Sequence, residues 1–148
     1  MMISILNTMQ INSEHFDTCV ATLEYALDKL NKISKNEEQL EYNMARSSCV
    51  KEFEIILEQS GKLLRKVLKP YFSSSSAVDR LNFKDIFRHC VLHSLLNIEE
   101  CERWLEYRDS RNITAHDYGE EFAEKILVFL PNFINDAKNL SKIFKDAK

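Results

Sequence analysis

An arginine, a histidine and a tyrosine fall within the eight residues Arg111-Asn112-Ile113-Thr114-Ala115-His116-Asp117-Tyr118, a set able to hold a phosphate, move a proton and accept a modifying group. Arginine stays charged at any physiological pH, and its planar fork suits bidentate contact with phosphate. His116 is the only residue of the run whose unperturbed pKa lies near neutrality, which makes it the candidate acid or base. The run follows an aromatic and basic stretch, Trp104 to Arg108, and precedes a helix start near Asp117 and Glu120. It therefore sits at a junction between helices, where a rigid scaffold exposes its chemistry.

Spacing constrains how these groups can cooperate. On one unbroken helix, at about 100° per residue, Arg111 and His116 point about 140° apart and do not converge. Either the helix ends between them or each meets a counterpart across a two-fold axis. Trp104, Arg108, Arg111 and Ala115 follow one another by four, three and four, so the two guanidinium groups share a helix face. Arg108 and Arg46 are candidates for supplementary phosphate contacts, with surface ion pairing as the competing reading. Asn112 is a candidate for orienting substrate, since its amide both donates and accepts; Asp117 suits a helix N-cap. The structural alternative for the whole run is that Arg111 pairs with Glu120 or Glu121 while His116 and Asp117 cap the last helix.

Other constellations point elsewhere. His89, Cys90 and His93 are close in sequence but lack the second ligand pair of a metal site, so neither a metal nor another cofactor is expected. Lys62, Arg65, Lys66 and Lys69 complement the negative end of their helix, a solvated role favoured over an RNA track. Of Glu99, Glu100, Glu102 and Glu106, several fall on an outer face and near a helix N-terminus, where negative charge is favourable, and none receives a catalytic role. Phosphate-cradling glycine loops and nucleophile elbows do not occur, which counts against a nucleotidyltransferase catalytic subunit and against a hydrolase.

The elements that must position these residues are helical. The 148-residue chain contains two glycines and two prolines, little turn chemistry for a sheet of hairpins, and its 45% hydrophobic content suffices for one core. Phe16, Val20, Leu23, Leu27 and Leu30 alternate steps of four and three and predict a helix over about 13–34. Asn36, three residues before Gln39, predicts the cap of a long helix bearing Leu40, Met44, Phe53, Ile56, Leu57, Leu64 and Val67, running almost to Pro70 and through Gly61. Ser73 to Ser76 predict a mobile loop. A third helix is expected over about Asn82–Leu96. A fourth, capped by Asn97 and Glu100, runs toward Arg111, and a fifth from near Asp117 carries Phe122, Ile126, Phe129, Phe133, Ala137, Leu140 and Phe144 with a kink at Pro131. The expected fold is all-α, an antiparallel four-helix up-and-down bundle with an additional short helix, forming one domain over 1–148 with 1–11 a loosely held arm.

A net charge of -3 argues neither for nor against nucleic acid and requires any phosphate ligand to meet a local basic patch. Cys19, Cys49, Cys90 and Cys101 form no CxxC pair and read as buried thiols of a reducing cytoplasm. Met1 to Ile11 lacks the basic start and apolar run of an export signal, and no stretch approaches the roughly 20 apolar residues of a membrane span. A soluble, cytoplasmic protein is expected.

Arg111, Asn112 to Ala115, His116, Asp117 and Tyr118 fit R-x4-H-x-Y, and the chain here resembles the HEPN superfamily in its HepT-like branch, also called the nucleotidyltransferase substrate-binding protein family. The segments RSSCVKEFEIILEQSGKLLRKVLK from Arg46 and RDSRNITAHDYGEEFAEKI extend the resemblance to about residues 12–145. It implies a helical fold and a metal-independent endoribonuclease site in a cleft between two protomers, the toxin of a toxin and antitoxin pair. Arg111 would hold the scissile phosphate and His116 would act as general base or acid. The RNA's 2′-hydroxyl would be the nucleophile, and a 2′,3′-cyclic phosphate would remain. Tyr118 resembles the residue that a cognate nucleotidyltransferase antitoxin modifies with AMP. The alternative is a non-catalytic subunit that presents a nucleotide or other substrate to such a transferase. The implied partners are a second copy of the chain, the transferase and RNA, or a nucleotide in the alternative, without DNA or membrane.

Overall fold

A computed structural model describes residues 11–113 and 120–147, with the side chains of 112 and 113 outside the description. Its described helices are α1 (Glu14–Lys32), α2 (Gln39–Leu68), a 3-10 turn (Lys69–Tyr71), α3 (Ser75–Asp79), α4 (Phe83–Leu92), α5 (Ile98–Ile113) and α6 (Glu120–Asp146). The fold is all-α, an antiparallel helical bundle, as the periodicity predicts. α2 is its axis, packing against α1, α4 and α6, while α5 lies against α4 and α6. None of the described helices is long and apolar enough to cross a membrane.

Aromatic contacts tie the helices together. Phe16 meets Phe144 edge-on at 5.1 Å between α1 and α6, and Phe53 meets Phe133 at 4.8 Å between α2 and α6. Trp104 of α5 is fully buried between Phe87 of α4, at 5.2 Å, and Phe133, at 5.3 Å. Each such side chain contributes roughly 1.5–3 kcal/mol by burial. Trp104 thereby sets the rotation of α5 and with it the direction of Arg108 and Arg111.

Local signals explain most boundaries. Asn97 and Glu100 form the expected capping pair, with Glu100 N donating to Asn97 Oδ1 at 2.7 Å and Asn97 N to Glu100 Oε1 at 3.3 Å. α2 continues through Gly61, where an added Cβ would stand 3.3 Å from the Phe83 ring, so the glycine lets α4 approach closely. α6 runs across Pro131 as one element.

Four expectations are corrected. Asn36 does not cap α2: Glu38 occupies the N-cap position, and it is Ser34 Oγ that accepts, from Glu37 N in the preceding turn. Leu40 and Met44 are 69% and 67% exposed. The stripe fixed by Phe53 continues backward through Cys49, Arg46 and Tyr42 instead, all buried. The serine segment is not loop throughout, because Ser74 Oγ accepts from Ala77 N and starts α3, which buried Val78 anchors. α4 stops at Leu92 rather than Leu96, because Ser94 adopts φ 61° and closes the helix with Leu95 N on Cys90 O and Ser94 N on Val91 O. Of the expected arm, Ile11 packs against the core and residues 1–10 lie outside the described residues.

Ser94 holds a left-handed conformation that costs an L-residue about 1–2 kcal/mol and glycine much less. Ser94→Gly should stabilise by about 1 kcal/mol and raise Tm by about 2–4 °C. Calorimetry checks this, and a lowered Tm would contradict the role given to that turn.

Candidate functional site

The site is built on two helix faces, one on α2 and one on α5. Along α2, Arg46, Val50, Glu54 and Glu58 succeed one another at steps of four and line a cleft of about 610 Å³ that also receives Lys51, Arg111 and Glu120. Three cations and three carboxylates line this first cleft among the described residues. A neighbouring cleft of about 410 Å³ lies farther along α2, bordered by Glu58, Gly61, Lys62 and Arg65, with Phe83 from α4 and Arg108 from α5. Arg111 lines both clefts.

Arg111 projects from the last described turn of α5, and its Nε lies 3.8 Å from Glu54 Oε2, a long pair with both side chains partly exposed. Such a pair contributes little and exchanges readily for a phosphate. Arg108 lies over the Phe83 ring, its guanidinium carbon 5.5 Å from the centroid. That contact uses the face of the guanidinium and leaves its in-plane donors to other acceptors.

Arg46 is in a different situation. Its side chain is 10% exposed, its Nη1 donates to Glu124 Oε2 at 3.1 Å, its Nη2 to Asn43 Oδ1 at 3.3 Å, and Glu120 Oε1 lies 3.9 Å away. Tyr42 donates its hydroxyl to the same Glu124 carboxylate at 2.9 Å. Burial opposes charge on Glu124, but Arg46, Tyr42 and Lys35 outweigh it and hold the carboxyl below its ordinary value. Burial and the Glu124 carboxylate push the Tyr42 hydroxyl up. Arg46 thus clamps α2 to α6 at the wall of the first cleft.

A second clamp sets α5 against α6. Asp136, almost fully buried, accepts from Arg103 Nε and Nη2 at 2.8 Å each and from the Tyr107 hydroxyl at 2.6 Å. Burial and this carboxylate raise the Tyr107 pKa. The four cysteines are free and buried; burial pushes Cys49 up to about 11 and Cys90 up to about 12, which keeps both as thiols at neutral pH.

The structure brings Arg111 and Arg46 to one cleft and Arg111 and Arg108 to the next. The backbone of Asn112 continues α5, while His116, Asp117 and Tyr118 lie outside the described residues. Among the described residues, no group of three or more His, Cys, Asp or Glu side chains is arranged to hold a metal ion. Sequence reasoning missed Glu54 as a partner of Arg111 and missed both clamps. The signals were present: Glu54 follows Arg46 by two steps of four, and Asp136 interrupts the apolar stripe Phe129, Phe133, Leu140 at a core position.

Comparison with known proteins gives the site a context. The family described as nucleotidyltransferase substrate binding protein like matches residues 18–146. A Haemophilus influenzae protein named "Probable ribonuclease HepT" is 28% identical over 94 residues, which cover 64% of this chain and 63% of that protein. The chain thus spans less than two thirds of that relative. A solved H. influenzae structure, described as revealing the fold of a substrate binding domain of a nucleotidyltransferase, superposes with TM-score 0.79 at 22% identity, covering 91% of this chain and 100% of the other. A solved Thermus thermophilus structure superposes with TM-score 0.68 at 22% identity, covering 88% and 98%. These superpositions establish the fold.

Proposed function

The chain belongs to the nucleotidyltransferase substrate binding protein like family, and from that premise we propose that it is a metal-independent endoribonuclease, the toxin of a pair whose nucleotidyltransferase partner silences it. The observation that carries this reading is Arg111, half-exposed at the meeting of two clefts and five residues before His116 in the chain. The name of the H. influenzae relative supports it.

In this reading Arg111 holds the scissile phosphodiester and stabilises the charge that develops on its oxygens. His116 removes the proton of the adjacent 2′-hydroxyl, whose oxygen attacks phosphorus. The 5′-oxygen of the next nucleotide leaves and takes a proton from water, while His116 returns its own to solvent, yielding a 2′,3′-cyclic phosphate and a 5′-hydroxyl. Two protomers share the cleft, and Asn112, Arg108 and Arg46 border the bound strand, Arg46 through the wall it stabilises.

Tyr118 is the acceptor of AMP from the partner transferase. Added phosphates two residues from His116 would compete with the RNA phosphate for Arg111 and fill the cleft. With a cognate transferase and ATP, intact mass should show a gain of one or more AMP units, lost in Tyr118→Phe, and the modified protein should cease to cleave RNA. An unchanged mass removes this switch.

A second reading is favoured by one observation, the balanced charge of the first cleft, which suits a small zwitterionic or nucleotide ligand better than a long polyanion. The chain would then be a non-catalytic subunit presenting a nucleotide to the transferase. Incubating the unmodified chain alone with RNA separates the two: products ending in 2′,3′-cyclic phosphate support the nuclease, and nucleotide binding without any cleavage supports the subunit.

A further inference from the structure

We propose that the second cleft, between α2 and the α4–α5 pair, is a phosphodiester-binding subsite that holds a single-stranded RNA beyond the phosphate at Arg111. The proposal rests on the reading of Arg111 as the phosphate-binding arginine of an RNA site and extends it past Arg108 to Lys62 and Arg65, which that reading leaves unused.

Charge distinguishes this cleft from its neighbour. Among the described residues, Lys62, Arg65, Arg108 and Arg111 line it against the single carboxylate of Glu58, in a chain whose net charge is -3. Low-dielectric walls concentrate such a local field and draw an anionic strand in. The basic cluster of α2 divides accordingly: Lys62 and Arg65 border the cleft, whereas Lys66 and Lys69 are exposed and do not line it. Their neutralising role at the helix end leaves Lys62 and Arg65 available for a ligand.

Two of the cations are held in place, among the described residues, by groups other than carboxylates. Arg65 donates Nη2 to the Leu81 carbonyl at 2.7 Å, and its Nε is buried with no acceptor among the described residues. Arg108 rests its face on Phe83, and Phe83 is itself fixed by Phe87 at 4.6 Å and by its close approach to Gly61. Prepositioned guanidinium groups lose little freedom when they grip a phosphate. Lys62 is paired with Glu58 at 3.5 Å with both side chains largely exposed, a contact that a phosphate displaces at small cost. Arg111, common to both clefts, makes the path from one phosphate to the next continuous.

The test uses the full chain and a labelled RNA decamer methylated at every 2′-oxygen, which cannot undergo internal attack, followed by fluorescence anisotropy over a range of salt concentrations. Lys62→Gln, Arg65→Gln and Arg108→Gln should each weaken binding about tenfold at low salt and reduce the slope of log Kd against log salt by about 0.7 for each cation removed. Lys138→Gln, whose side chain pairs with Glu24 on the α1–α6 face, should change neither. Arg65 also supports the chain at Leu81, so the Lys62 and Arg108 variants decide the outcome if Arg65→Gln fails to fold. Binding that depends on Arg111 but ignores Lys62 and Arg108 overturns the subsite and leaves the reading of Arg111 intact. Binding weakened by these changes, together with no cleavage of an unmethylated RNA by the wild-type chain, upholds the subsite and overturns the nuclease. A wild-type chain that does not bind the decamer overturns both.

Discussion

Substituting alanine for His116 or for Arg111 should lower RNA cleavage by at least about 100-fold while the protein stays folded. General acid or base catalysis by a positioned side chain is worth about 10²–10⁴-fold, and removal of one group that stabilises a developing oxyanion costs about 10²–10³-fold. The two losses should not multiply in the double variant, because both groups serve one transition state. Arg111→Lys should recover only part of the activity, since a point charge cannot reproduce the bidentate fork. Single-turnover cleavage of a labelled RNA, with Tm measured on the same samples, checks all of these. Wild-type rates in both alanine variants would sink the proposed mechanism.

The largest effect on stability should come from Arg103→Ala, at about 3 kcal/mol, or a Tm lowered by about 6–12 °C. Among the described residues, Arg103 gives two of the three hydrogen bonds that Asp136 accepts, and Asp136 is 3% exposed. Without it a carboxylate remains in the core between α5 and α6 with Tyr107 as its hydrogen-bond donor. The Arg103 side chain is itself 40% exposed, which places the effect at the lower end of the range for broken buried pairs. Arg103→Lys should fall between, because an ammonium cannot match both oxygens at once. A chemical denaturation series over the three proteins measures the order. Equal stability of Arg103→Ala and wild type would mean that the clamp does not hold the helices.

The consequence of that clamp reaches the site. Trp104, Arg103 and Tyr107 lie on the part of α5 that is locked to α4 and α6, and Arg108 and Arg111 follow within two turns. Both guanidinium groups therefore owe their direction to residues that have no part in the chemistry.

Much of this was legible in the chain because it is local. Apolar residues at steps of three and four specify which face of a helix avoids water, so α1, α2, α4, α5 and α6 follow from periodicity, and Asn82 and Asn97 announce helix starts through their own side chains. The helical class needs nothing more than the scarcity of glycine and proline. R-x4-H-x-Y likewise marks the candidate residues by type and spacing alone.

What only the tertiary structure decided is how polar groups far apart in the chain satisfy one another. Arg46 has the same composition whether it faces a phosphate or, as here, a carboxylate 78 positions away on α6, and no local rule selects between them. Leu40 and Met44 look like core residues until the packing of Phe53 sets the rotation of α2 and turns them outward. Lys62 and Arg65 read as helix-end charges until α4 and α5 close over α2 and make a cationic cleft beside Arg111. Hydrophobic periodicity depends on neighbours three and four residues away; the partner of a buried charge and the walls of a cleft depend on which helices meet, and those contacts exist only in the assembled bundle.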